Sequence, residues 1–358
     1  MRDNLETVCV QRQISIRDAI AQIDANRNGI VLIVDQDRRL LGTVTDGDVR
    51  RAILADISLD EQVGLLLDNK LGSRFESPIT VLDGQTRDSM LHTLQEHGIL
   101  HLPVIDHEQR VVDLVTLRDL LPDEDLALHA VIMAGGQGVR LRPLTDDLPK
   151  PMLPVGDRPL MELTIERLKD AGIKNVNVTL HHKMEKITEH FGDGTGFGVN
   201  ISYVTEERPL GTAGALGLMN EPQETLLVIN GDILTHVDFR AMLTYHREHS
   251  ADLTLAVSQH STQIAYGVIE CEDAWVKSIV EKPVYKSLIN AGLYLLEPNV
   301  FQFIPKDRPF DMTELIQVLL DENLSVAAFP IHEYWLDIGR PEDYRQANER
   351  LASQERKR

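Results

Sequence analysis

The 358-residue chain has only two cysteines, Cys9 and Cys271, too few for a disulfide framework or a cysteine-built zinc site. No apolar run approaches the roughly 20 residues that span a bilayer. The N-terminus, MRDNLETVCVQRQ, mixes charges and lacks the apolar core of a signal peptide. Positive charge is also scarce: 36 Lys and Arg stand against 56 Asp and Glu, a formal net charge of −20. A nucleic acid or an anionic membrane surface needs a field of the opposite sign, so neither is an expected partner. Small anionic substrates are compatible, because local cations and a divalent metal can receive them. The rest of the composition, 42% hydrophobic and 26% charged, suits a folded globular protein. The length allows two or three domains, and the simplest compartment is the cytoplasm.

Two familiar phosphate-binding patterns are missing as well. The run GGQGVRLRPLTDDLPKPMLPV follows the apolar stretch AVIMA, yet it lacks the third glycine of G-x-G-x-x-G and the G-K-[ST] of a P-loop. What it does contain is specific. Gly135, Gly136 and Gly138 let the backbone approach a polyphosphate closely, and Arg140 and Lys150 bring fixed positive charge to the same place. Singly, a glycine after a strand is a turn and a lysine in a loop is a solvated charge. Together, behind one buried strand, they read as a grip for a nucleoside triphosphate.

The glycines, the R-L-x-P-L-T and the P-K-P together resemble the signature of the sugar-1-phosphate nucleotidyltransferases, and later motifs extend the resemblance over residues 129 to 350. In EERPLGTAGAL, Gly211 and Thr212 leave no bulky side chain between backbone and base, and related transferases seat the nucleobase on this turn. Glu206 stands where a polar group facing the base edge is usual in those enzymes. A carboxylate accepts from both N1–H and N2–H of guanine, whereas uracil and thymine offer one such donor. This favours GTP, as does the likeness of LGTAGAL to the mannose-1-phosphate guanylyltransferases. Asp232 in LLVINGD and Asp337 in YWLDIG are hard oxygen donors suited to Mg²⁺, and the resemblance assigns them the metal. On the sugar side it implies Gly267 in AYGVIE, Glu281 in VEKP for the hydroxyls, Lys282 for the phosphate and Asn290 in INAGLY.

The implied reaction is nucleotidyl transfer: an oxygen of the sugar 1-phosphate attacks the α-phosphorus of the NTP, and pyrophosphate leaves. Arg140, Lys150 and Lys282 are the expected catalytic cations. The sugar is left open between mannose, a heptose and a hexosamine. Two other readings remain, a uridylyl- or other nucleotidyltransferase of the same fold and an inactive nucleotide sensor; a sensor would have no need of the whole set of charged residues.

The first third carries an internal repeat. Residues 30 to 54, IVLIVDQDRRLLGTVTDGDVRRAIL, align with residues 99 to 121, ILHLPVIDHEQRVVDLVTLRDLL. With the helical patterns upstream, around Ala19 and Ile23 and around Met90 and Leu94, each copy reads β-α-β-β-α. This unit and its G-x-V-T-x-x-D ending resemble the CBS domain, which normally occurs as a tandem pair, often binds adenine nucleotides and commonly dimerises. The ending is intact at Gly42, Val44, Thr45 and Asp48. In the second copy Asp113 replaces the glycine while Thr116 and Asp119 remain. The resemblance implies an adenine or guanine nucleotide at the pair and a homo-oligomer, dimer or higher; the alternative for Thr45 is plain helix capping. Expected boundaries are repeat one at 1–58, repeat two at 59–122, a linker at 123–128 and the transferase domain at 129–358. Beyond the linker the strand candidates AVIMA, NVNVTL, ISYVT, LLVIN, LTLAV and YGVIE alternate with helices, which predicts an α/β, Rossmann-like domain with a mainly parallel sheet and ligands at the carboxyl ends of its strands.

Overall fold

The computed structural model describes residues 5–73, 75–120, 126, 128–306 and 308–355. Residues 121–125 and 127, which include most of the expected linker 123–128, lie outside the described residues. The chain divides into two units, Met1–Asp125 and Leu126–Arg358.

The first unit builds one motif twice. Strand Cys9–Gln11, helix Ile16–Asn26, strands Ile30–Val34 and Leu40–Thr45 and helix Asp46–Leu54 make the first copy. Strand Val81–Leu82, helix Arg87–His97, strands His101–Ile105 and Val111–Thr116 and helix Leu117–Leu120 make the second. In each copy the middle strand pairs parallel with the short first one and antiparallel with the third. The order is the one the repeat predicts. Local signals explain the corresponding helices: Ser15 and Thr86 cap them by accepting the N–H groups of Asp18 and Ser89. Ile16, Ala19, Ile20 and Ile23 fall on one buried face.

The second unit is organised by a seven-stranded sheet. Its strands lie in the order Asn200–Thr205, Asn175–Leu180, His129–Met133, Leu226–Asn230, Val284–Leu296, Leu253–Gln263 and Val326–Pro330. Every neighbouring pair is parallel except the two made by Val284–Leu296. Alternate side chains feed two cores. Ala130, Ile132, Leu227 and Ile229 face helices Leu160–Asp170, Met184–Phe191 and Phe239–Glu248, whereas Val131, Leu226 and Val228 face the 211–218 turn and helix Met312–Asp321. Burial on both faces is why AVIM and LLVI read as unbroken apolar runs. Among the described residues no helix is long and apolar enough to cross a membrane.

One expected strand is placed differently. YGVIE does not join the main sheet; Gly267–Glu272 pairs only with Trp275–Glu281, in a separate two-stranded hairpin. Its alternation marks a strand, but a hairpin needs no partner beyond its own turn. The antiparallel strand Val284–Leu296 lies in the interior of the sheet, fifth of the seven strands, a position no local pattern announces.

Candidate active site

Four parallel strands end along one edge of the sheet, so Gly135, His181, Glu206 and Asp232 leave it side by side. Gly135 follows strand His129–Met133 by two residues, and a Cβ there would lie 2.6 Å from Glu206 Oε1. A larger residue there would displace the Glu206 carboxylate tip. Gly136 faces open space. Gly138 leads into the turn Val139–Leu141, which presents an exposed Arg140.

Lys150 sits in the next turn, Lys150–Met152, almost fully buried, with its Nζ 2.5 Å from Asp232 Oδ2. Asp337 arrives from far along the chain. Strand Trp335–Asp337 pairs antiparallel with Ile233–Thr235, setting Asp337 opposite Ile233, and Ile338 N–H donates to Asp232 O at 3.0 Å. The two carboxylates are therefore neighbours. Loss of surrounding water, then the Asp232 charge, pushes the Asp337 carboxyl above its ordinary range, and Lys150 and Arg140 pull it back. The pair fits a small divalent cation: it offers hard oxygens, its like charges are held together, and an ammonium is already drawn onto one of them.

On the base side Glu206 is buried, and its Oε2 accepts the N–H of Leu210 at 2.9 Å. Burial raises its carboxyl, and the Leu210 bond opposes the rise. The turn at Gly211 and Thr212 is closed from behind by residues 310–312: Phe310 O accepts from Ala213 and Gly214, Asp311 Oδ1 accepts from Thr212 N, and Thr212 Oγ1 accepts from Met312 N.

The residues expected at the sugar are less closely joined. Gly267 stands opposite Glu281 in the hairpin, and Lys282 follows in a left-handed backbone conformation. Among the described residues no hydrogen bond or ion pair links these three to Asp232 or Asp337. Asn290 lies deeper. Its Nδ2 donates to Tyr294 Oη at 2.8 Å and its Oδ1 accepts from Gly292 N. Burial pushes the Tyr294 hydroxyl up to about 12; the Asn290 bond opposes this, and the Asp232 and Asp311 charges add to it. Tyr294 thus hydrogen-bonds Asn290 and lies within electrostatic reach of Asp232 and Asp311.

Sequence reasoning passed over Tyr294, Asp311, His181 and Lys183. His181 Nδ1 meets Glu206 O at 3.0 Å, and Lys183 reaches the glycine-loop segment. The only local signal was the polar run HHK directly after a buried strand.

In the first unit, Thr45 and Asp48 form a capping box at helix Asp46–Leu54, with Asp48 accepting from Thr45 N at 2.8 Å and Thr45 Oγ1 at 3.0 Å. Thr116 and Asp119 repeat the same bonds. Asp48 is also ion-paired to Lys70 and Arg51, and all three line or adjoin a cavity of about 390 Å³ with Ser73 and Phe75.

Comparisons with known proteins agree with this division. A nucleotidyl transferase family model matches residues 129–354, and a CBS domain model matches residues 1–55 and 75–122. The chain is similar to the mannose-1-phosphate guanylyltransferase of Mycobacterium tuberculosis, 35% identical over 226 residues that cover 61% of this chain and 62% of that one. It is also similar to the UTP–glucose-1-phosphate uridylyltransferase of Synechocystis, 33% identical over 249 residues and 64% of each chain. It spans less than two thirds of the length of either relative. Among solved structures, HddC from Yersinia pseudotuberculosis is 29% identical, with a TM-score of 0.50 over 62% of this chain and 99% of that one.

Proposed function

Since the match at residues 129–354 covers most of it, the chain belongs to the nucleotidyl transferase family, and we propose that it transfers a nucleoside monophosphate, by preference that of GTP, to a sugar 1-phosphate of the mannose, heptose or hexosamine type. The observation that carries this reading is the meeting of Lys150, Asp232 and Asp337 beside the glycine loop. An oxygen of the sugar 1-phosphate bonds to the α-phosphorus as the bond from that phosphorus to the β-phosphate breaks, and pyrophosphate leaves with the electron pair. The nucleophile is already anionic, so positioning and charge neutralisation carry the rate. Arg140 and Lys150 hold the triphosphate and the departing pyrophosphate, and Lys282 receives the incoming phosphate. Asp232 and Asp337 would hold Mg²⁺, which when bound neutralises charge on the phosphates. Gly267 and Glu281 flank the sugar, and Asn290 offers it the amide hydrogen that Tyr294 does not take.

The preference for GTP rests on Glu206. One of its oxygens is held by Leu210, and the other lies against Gly135, where a guanine edge would meet it. The two relatives differ in the nucleotide their names carry, one guanylyl and one uridylyl, and the preference assigned to this chain rests on the chemistry of this carboxylate alone. Pyrophosphate release from a matrix of NTPs and sugar 1-phosphates, with and without Mg²⁺, tests the whole reading. Release with no pair in the matrix would sink it.

The CBS pair is assigned a regulatory purine nucleotide near Thr45 and Asp48, where Arg51 and Lys70 supply cations beside the cavity. Titrating AMP, ADP and ATP into the full chain during turnover tests this. A response that survives Asp48→Ala would remove the site, and no response would leave the pair as a dimerisation module.

A further inference from the structure

Lys183 occupies an unusual place. It joins strand Asn175–Leu180 to helix Met184–Phe191 with a left-handed backbone, φ 53° and ψ 40°, a conformation that β-carbon-bearing residues adopt uncommonly and at some cost. Its Nζ donates to two main-chain carbonyls of a distant segment, Thr145 O at 2.8 Å and Asp146 O at 2.5 Å. No carboxylate among the described residues pairs with it. Thr145, itself buried, passes the restraint on: its Oγ1 donates to Gly138 O at 2.8 Å. Gly138 N-caps the turn that carries Arg140. A charged donor on two carbonyls is stronger than a neutral hydrogen bond, so the ammonium pins both ends of the 138–146 loop through one contact chain.

We propose that Lys183 is a positioning residue for nucleotide use: it latches the 138–146 loop in the shape that presents Arg140 to the triphosphate. The inference rests on the transferase reading above and adds a residue to it. A latch of this kind acts on the triphosphate half of the site. Asn290 and Tyr294, on the sugar side, bond to each other and not to this loop.

The test is steady-state kinetics of Lys183→Met, Lys183→Arg and Thr145→Val, varying NTP and sugar 1-phosphate separately, with unfolding midpoints measured alongside. Lys183→Met is expected to raise KM for the NTP roughly tenfold or more, as loss of a positioning contact does. The KM for the sugar 1-phosphate should stay within about twofold of its starting value. Lys183→Arg, which retains a charged donor, should recover most of the loss. Thr145→Val breaks the second link of the chain and should shift KM for the NTP in the same direction, which keeps the test decisive if Lys183→Met does not fold. An unchanged KM for the NTP in a folded Lys183→Met, or an equal rise in both KM values, overturns the latch. Failure of the unsubstituted protein to release pyrophosphate would instead overturn the transferase reading, so the two failures are distinguishable.

Discussion

Asp232 and Asp337 are two like charges held together, and such pairs are kept for what they bind rather than for stability. Replacing either with Asn should lower turnover at least about a hundredfold, since charge stabilisation of phosphates is usually the largest catalytic contribution. In EDTA the Asp337→Asn protein should unfold no earlier than its parent. Its carboxyl is raised by burial and by Asp232, so the charged form costs stability at neutral pH, and removing the charge relieves that cost. Near-normal turnover in a folded variant would remove the metal assignment. Glu206 allows a similar separation. Glu206→Gln keeps an acceptor for Leu210 N–H and removes a buried charge, so the midpoint should hold. GTP use should still weaken by roughly 1–3 kcal/mol relative to UTP. An unchanged ratio would mean that the base is read by the backbone at Gly211 and Thr212.

At the scale of elements, the Gly211 turn depends on a close approach between segments. Gly211 has φ +80°, and a Cβ there would lie 2.5 Å from Asp311 Oδ1 and 2.8 Å from Phe310 O. Gly211→Ala must therefore both strain the backbone and push residues 310–312 away. The expected cost is on the order of 1–3 kcal/mol of stability, together with a higher KM for the NTP. A variant with parental midpoint and kinetics would show that the turn relaxes freely. The two-stranded ribbon of Ile233–Thr235 and Trp335–Asp337 has the corresponding role for the proposed metal ligands, because its register sets Asp337 beside Asp232.

For the molecule as a whole, the net charge of −20 gives no global attraction for an anionic substrate, so on the proposed reading binding depends on local cations such as Arg140 and on the metal. Another charged cluster shapes stability. Burial, with Arg167 and Arg350 nearby, lowers the His236 imidazole from 6.5 to about 4. The folded state therefore refuses a proton that the unfolded chain accepts. This contribution is present in full above 6.5, is lost as pH falls from 6.5 towards 4, and changes no further below that. His236→Asn should flatten the fall of the unfolding midpoint across that window. An equally steep fall in the variant would place the acid sensitivity in other groups.

The sequence by itself determined most of the elements and the family resemblance. Apolar runs at Ala130–Ala134 and Leu226–Ile229 marked buried strands, because burial on both faces requires it. The repeat in the first third marked β-α-β-β-α twice, the glycine run behind a buried strand marked Gly135, N-G-D after another marked Asp232, and the likeness to the transferases pointed to Glu206. Those signals are local: periodicity and turn chemistry act within a few residues. Tertiary structure alone decided what depends on pairing between distant segments. No local pattern places Val284–Leu296 antiparallel in the interior of the sheet, joins residues 310–312 to the Gly211 turn, or brings Asp337 to Asp232. The reach of Lys183 to Thr145 and Asp146 was hidden for the same reason. A strand's own sequence states which face it buries, but its partner and register follow from how all the faces pack together.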